Sequence, residues 1–345
     1  MIEPQFAHQS LQQYNIEEVL KAFSQVARVS GLASPSPLYS EVGVEAGDDW
    51  DLEPNLSLDG LSPITLFYEN GVRRKVVACD TSTIKLAEGP FGGVWAIRGA
   101  VVEREGDGIN LSIYGPFIYL LSPNSVSRII KLLKNSLGLH DFSIPSMDVA
   151  HRVVAGLFEK LLQQHVASKL DKGILLVDGS LTAGPIDSPI KAVSNVIRKS
   201  KHYGSGVIAF AKSSKLRLLG QRITSIANGC EPPYLISFRG GIRMKPNHHI
   251  LGEVYVAHLS KVFFPFRIDV ASRDDKNPVR LVEDLLKSDS LVYGYPETLI
   301  LAHQYSTFNR IDILSMQSSI ETATNHKIIN HPDIRESLFA PLDNG

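Results

Sequence analysis

Apolar positions recur at helical spacing over residues 16–29, where Ile16, Val19, Leu20, Phe23, Val26 and Ala27 fall on one face. Beyond them the pattern lapses. Pro35, Pro37, several Ser and Gly and an acidic run read as an irregular, loosely packed connection up to about residue 62. This predicts residues 1–62 as an N-terminal helix plus acidic irregular segment, and 63–345 as the main domain. There, residues 73–80 (Arg-Arg-Lys-Val-Val-Ala-Cys-Asp) form a short β-branched run closing on an acid, followed by strand-like stretches at 93–103 and 108–121. Glu-Gly-Asp-Gly at 105–108 is a hairpin signal, so the three stretches predict an antiparallel meander. Helical patterns follow at 125–137 and 146–167, the second with Pro145 just ahead of it and Asp148 in its first turn. Strand and helix then alternate: strand 173–178, helix 189–200, strand 206–211, helix 214–228. Such alternation predicts parallel crossover units in one sheet. Strands near 234–239, 252–258 and 262–270 and helices at 279–287 and 296–308 complete the chain. The expected fold is α/β: a mixed sheet, meander plus parallel strands, flanked by helices and preceded by an N-terminal helical extension.

Composition narrows the class. With 345 residues and 43% hydrophobic content the chain can bury a substantial core, which excludes disorder of the whole. Its apolar runs, such as 153–158 and 173–177, fall far short of the roughly 18 to 20 residues that cross a bilayer. No basic start followed by an apolar stretch opens the sequence, so the expectation is a cytoplasmic protein without a secretory signal or membrane partner. The two cysteines, Cys79 and Cys230, have no zinc-like spacing to other Cys or His and predict neither a structural zinc nor a disulfide framework. Net charge is −1, but its distribution is uneven. Residues 188–230 hold eight Lys and Arg against no acid, and 41–59 hold seven acids against no Lys or Arg. Either block fits a solvated face; the basic one also fits a phosphate backbone.

The chemistry suggested is that of paired acids. In an open α/β sheet ligands collect at the carboxyl ends of strands, and Asp80 and Asp178 each close a predicted strand. If those strands are neighbours, the two carboxylates repel unless a cation lies between them, and a hard ion such as Mg²⁺ or Mn²⁺ suits oxygen ligands. That is a constellation for metal-assisted phosphodiester hydrolysis. Taken singly, Asp178 before Gly179 also fits a turn, and Asp80 before Thr81 and Ser82 also fits a cap. Glu159, on the helix upstream of Asp178, projects nearly opposite the apolar face set by Ala150, Val154, Leu157 and Leu161 and reads as an exposed glutamate; Asp148 lies near the same angle. Near the C-terminus, Gly-Tyr-Pro-Glu (294–297) opens a helix, and Tyr295 and His303 stand about a quarter turn apart along it, close enough to border one crevice. Imidazole shifts a carboxylate site from Mg²⁺ toward Mn²⁺.

Four segments in this order resemble the NurA nuclease family: Val-Ala-Cys-Asp-Thr-Ser (77–82), Leu-Leu-Val-Asp-Gly-Ser-Leu (175–181), Ala-Lys-Ser-Ser-Lys (211–215) and Gly-Tyr-Pro-Glu-Thr-Leu-Ile-Leu-Ala-His (294–303). The resemblance spans about residues 70–310. It implies an RNase H-like core and a Mn²⁺-dependent deoxyribonuclease, 5′ to 3′ exonucleolytic with single-strand endonuclease activity. It further implies a homodimer acting beside a hexameric HerA-type ATPase in DNA end resection and repair. By position it implies Asp80, Glu159, Asp178 and His303 as metal ligands, with His303 alternatively handling a proton. Tyr295 would orient water or phosphate, and Lys212 would neutralise charge developing at the phosphate. Lys212, Lys215 and Arg217 would contact DNA. The competing expectations are a non-catalytic DNA-binding adaptor of the ATPase and an RNase H-like enzyme acting on RNA.

Overall fold

The computed structural model describes residues 38–40, 62–90, 92–139, 146–184, 188–212, 217–218, 221–225, 231–238, 248–261, 265–272, 277–325 and 327–330. The helix expected at 16–29 and the acidic block at 41–59 lie outside these residues. Among the described residues eleven strands form one sheet: β1 (Leu38–Ser40), β2 (Pro63–Thr65), β3 (Val76–Gly89), β4 (Gly92–Glu105), β5 (Gly108–Leu121), β6 (Ile174–Asp178), β7 (Gly206–Ala211), β8 (Tyr234–Ser237), β9 (Glu253–His258), β10 (Phe266–Ala271) and β11 (Ile328–Asn330). Their order is β11-β1-β3-β6-β7-β10-β9-β8-β2, with β4 on the other side of β3 and β5 beyond it. Six helices accompany them among the described residues: α1 (Val126–Ser136), α2 (Ala150–Ala167), α3 (Ile190–His202), α4 (Pro278–Ser288), α5 (Glu297–Ser306) and α6 (Arg310–Thr324).

The expected meander is present as β3-β4-β5, closed by a hairpin in which Glu105 pairs Gly108. The β6-α3-β7 crossover is parallel, and β3 joins β6 in parallel as well. Strands β6 and β7 are unbroken apolar runs because both of their faces are covered. Val77, Cys79, Leu175, Val177, Val207 and Ala209 point into a core under α1, α2 and α3. The alternate positions Val76, Ala78, Ile174, Leu176, Ile208 and Phe210 point into a second core under α4 and α5. The far half of β3, through Leu86 and Ala87, packs with Phe308, Met316 and Ile320 at α6.

Several expectations need correction. The stretch 30–62 includes β1, which pairs β3 at Tyr39 with Glu88 and runs parallel to β11. No helix forms in the described part of 214–228: Arg217–Leu218 pairs antiparallel with Gln221–Arg222, and a 3-10 turn follows at Ile223–Ser225. Pairing of Leu218 with Gln221 and of Arg217 with Arg222 commits these backbone groups to a short antiparallel ladder instead of a helix. Asp80 does not close its strand either. Thr81, Thr83 and Ile84 are β-favouring, and residues 81–85 keep pairing with β4, so β3 continues to Gly89. Helix α6, not anticipated, carries a capping box between Asn309 and Asp312.

Candidate metal centre

What ends at Asp80 is the parallel ladder rather than the strand. Val76 to Cys79 pair with Ile174 to Val177 in register, so the next step along both strands sets Asp80 opposite Asp178. Strand alternation aims both carboxylates to the α5 side of the sheet, in line with Val76, Ala78, Ile174 and Leu176. The turn after Asp178 begins at Gly179 with φ of +100°, a conformation open to glycine at no steric cost. Its amide donates to the Phe210 carbonyl at 2.8 Å. Farther round, the Leu181 amide donates to Asp269 Oδ2 at 2.9 Å, and the Arg267 guanidinium bridges Asp269 and Thr182 Oγ1. Arg267 and Asp269 are buried on β10, so a charge pair fixes this turn from beneath.

Helix α5 lays Leu299 and Ala302 on the same core and thereby brings His303 and Ser306, one turn apart, to the edge. His303 Nδ1 and Ser306 Oγ both lie 2.9 Å from Asp80 Oδ2. The start of α5 is anchored by buried Asp289, which takes hydrogen bonds from the Thr298 hydroxyl (2.7 Å) and amide and an ion pair from Arg104 (2.9 Å). Gly294, at φ +85°, turns the chain into Tyr295. The Tyr295 ring packs edge-on against Phe210 and Phe266, and its hydroxyl donates to Asp178 Oδ1 at 3.2 Å. Burial, then the Asp178 charge, pushes the phenol well above the ordinary tyrosine range, so it remains a protonated donor. Lys212 follows β7 on the face of Ile208 and Phe210, and its Nζ reaches Asp178 Oδ2 at 2.6 Å.

One donor atom each from Asp80, Asp178 and His303 converge within 4.8 Å of one another, a spacing that fits a single cation. Two carboxylates and an imidazole form an oxygen-rich, nitrogen-containing set suited to Mn²⁺ and compatible with Mg²⁺. Tyr295 and Lys212 join the group through Asp178. Glu159 does not belong to the converging three: it lies on α2, on the opposite face of the sheet, and its carboxylate takes the Gln163 amide and Lys160 Nζ. Nor is it the exposed glutamate that periodicity predicts. Helix α2 is buried almost all round beneath α1 and α3, so Lys160, Gln163 and Gln164 are buried and the Glu159 side chain is only 28% exposed. Its charge raises the pKa of the Cys79 thiol, second to burial, which sets it near the residue before Asp80. Asp148 lies in a 3-10 turn ahead of α2. Lys215 lies outside the described residues, and Arg217 sits in the short hairpin. Ser306 was not singled out by sequence reasoning; the only signal is its spacing of three from His303 on one helix.

Comparison with known proteins adds a family. A sequence model described as the NurA domain matches residues 74–308, from just before β3 to just past α5. No curated protein matches. Among solved structures, the NurA nuclease from Sulfolobus solfataricus is 18% identical with a TM-score of 0.49, covering 76% of this chain and 88% of that one. A NurA bound to dAMP and manganese is 8% identical with a TM-score of 0.41, covering 83% and 90%. Endonuclease V from Bacillus subtilis is 11% identical with a TM-score of 0.35, covering 75% and 88%. The family match spans more than half of the chain and encloses Asp80, Glu159, Asp178, Lys212, Tyr295 and His303. On that match, this chain belongs to the NurA family.

Proposed function

We propose that the protein is a divalent-metal-dependent DNA nuclease that hydrolyses phosphodiesters at the Asp80/Asp178/His303 edge. The observation that carries this reading is the convergence of those three donors within 4.8 Å at the end of a parallel ladder. A bound Mn²⁺ or Mg²⁺ would polarise the phosphoryl oxygen and lower the pKa of a water. The chain's own groups do the rest. Asp80 and Asp178 hold the charge that retains the cation, and His303, more than half exposed, supplies a further donor or takes a proton on its ring nitrogen. Tyr295, kept protonated, orients Asp178. Lys212 supplies a positive charge that would offset the charge developing at the phosphate. Glu159 enters as a further acid if its carboxylate turns from Lys160 and Gln163 toward the strand end.

The proposal extends to 5′ to 3′ exonuclease and single-strand endonuclease action in DNA end resection, with a HerA-type ATPase and a second copy of this chain as partners, in the cytoplasm. Family membership supports these finer assignments. No helix of the described residues is long and apolar enough to cross a membrane. Lys215 and Arg217, in the basic stretch that continues from Lys212, are proposed DNA contacts.

The test is digestion of labelled single-stranded DNA and RNA with Mn²⁺, Mg²⁺ or EDTA, by wild type and by Asp80→Asn and Asp178→Asn. Expected are DNA cleavage with Mn²⁺, none with EDTA, none by either variant, and DNA binding retained by both, because the basic surface is untouched. Near-normal turnover by either variant would show the site to be misplaced. Cleavage confined to RNA would reassign the substrate, and inactivity with every metal would leave a DNA-binding adaptor.

A further inference from the structure

The two acids of the metal centre are not engaged alike. Asp80 receives both its donors on one oxygen, Oδ2, from His303 and Ser306, and no donor among the described residues reaches its Oδ1. Asp178 has both oxygens engaged, Oδ1 by the Tyr295 hydroxyl and Oδ2 by the Lys212 ammonium. A cation approaching this pair finds an oxygen of Asp80 that carries no donor, whereas each oxygen of Asp178 already carries one. A neutral hydroxyl can share a metal-bound carboxylate, but an ammonium repels the cation, and the two partners of Asp178 also differ in freedom. Tyr295 is 7% exposed and wedged between Phe210 and Phe266. Lys212 lies at the strand end with 46% of its side chain exposed, on a flexible four-carbon stem that holds its Nζ 5.7 Å from the centre of the Tyr295 ring.

We infer that Lys212 occupies Asp178 as a placeholder for the metal, and that its displacement by the cation frees the ammonium for a phosphate of the substrate. This rests on the metal-centre reading above and adds a coupling to it. A metal ion and the ammonium compete for one carboxylate oxygen and also repel each other across a few ångströms. Metal loading therefore leaves Lys212 unpaired, and a nucleic-acid phosphate restores its partner. Each ligand thus lowers the cost of binding the other, and the linkage is reciprocal.

The sign of the consequence separates this from a simple phosphate contact. Replacing Lys212 by an uncharged side chain removes the competitor, so metal binding tightens while cleavage slows. The experiment is titration of the full-length protein with Mn²⁺, following free Mn²⁺ by electron paramagnetic resonance, with and without a single-stranded oligonucleotide carrying phosphorothioate linkages. For Lys212→Met without DNA, the Mn²⁺ dissociation constant should fall about three- to tenfold below wild type, the scale of a half-exposed ion pair plus the lost repulsion. The gain in Mn²⁺ affinity on adding DNA should shrink in the same variant. Lys212→Arg keeps the charge and should bind Mn²⁺ like wild type. Equal or weaker Mn²⁺ binding by Lys212→Met, or equal tightening by Lys212→Arg, would overturn the inference while leaving the metal centre in place. If wild type shows no Mn²⁺ site that Asp178→Asn removes, the metal-centre reading itself falls, and this inference with it.

Discussion

Ser306→Ala removes one buried oxygen and tests how Asp80 is held. The serine is fully buried and its hydroxyl donates to Asp80 Oδ2 at 2.9 Å. The other donor to that oxygen, His303, is 53% exposed, so its contact competes with water, whereas no water stands ready to replace a buried hydroxyl. A hydrogen bond to a charged acceptor is worth roughly 1.5 to 3 kcal/mol. Asp80 retains 14% of its side-chain exposure, which favours the lower end, about 1.5 kcal/mol. If the carboxylate must keep this orientation to present Oδ1 to the metal, that energy appears as a weakening of Mn²⁺ binding of about tenfold. The figure matches the usual effect of losing an outer-sphere hydrogen bond at a metal site. Mn²⁺ titration reads it directly, and cleavage at rising Mn²⁺ should recover toward the wild-type rate because only the loading is impaired. Ser319→Ala is the matched control: its hydroxyl bonds the Ser315 carbonyl on the exposed side of α6, so neither readout should move. Unchanged Mn²⁺ affinity in Ser306→Ala would refute the role given to this hydroxyl.

Two further predictions concern stability. Asp269→Leu leaves Arg267 buried without its counter-charge and the Leu181 amide without an acceptor, so unfolding in urea should require about 3 to 5 kcal/mol less; a loss below about 1 kcal/mol would mean the pair does not hold the turn. His165 on α2 is lowered from 6.5 to about 4, by burial first and then by Lys169 and Lys199. Between those values the unfolded chain binds the proton and the folded one does not. Stability is therefore intact above pH 6.5 and declines as pH falls toward 4, by roughly 1 to 2 kcal/mol once partial solvent exposure is allowed for. His165→Leu should flatten that part of the stability profile, and an unchanged slope would assign the acid sensitivity elsewhere.

Much of the fold is written in local pattern. The Glu105–Gly108 turn, the apolar runs of β6 and β7 and the amphipathic α1 and α4 each follow from a period or a turn residue, and each is present. The elements are misread for two reasons. Strand β1 is defined by partners far away in sequence, β3 and β11, whereas at 217–222 a local antiparallel pairing overrides a helical pattern. Periodicity makes Glu159 look exposed because it describes one apolar face, while α2 is covered by two helices as well as the sheet.

The sequence alone determined which residues could do chemistry: Asp80, Asp178, Lys212, Tyr295 and His303 were visible through residue type, strand position and the order of four segments. It also determined which neighbours each aspartate shares a face with along its own strand, since side-chain direction in a strand is local. Only the tertiary structure decided that β3 and β6 are neighbours in a register setting Asp80 opposite Asp178, because strand pairing is chosen by burial across the whole sheet. It alone also decided how each oxygen is engaged, with Ser306 and His303 on Asp80 and Tyr295 and Lys212 on Asp178. Those contacts join residues more than thirty positions apart, at distances set by packing rather than by any pattern along the chain.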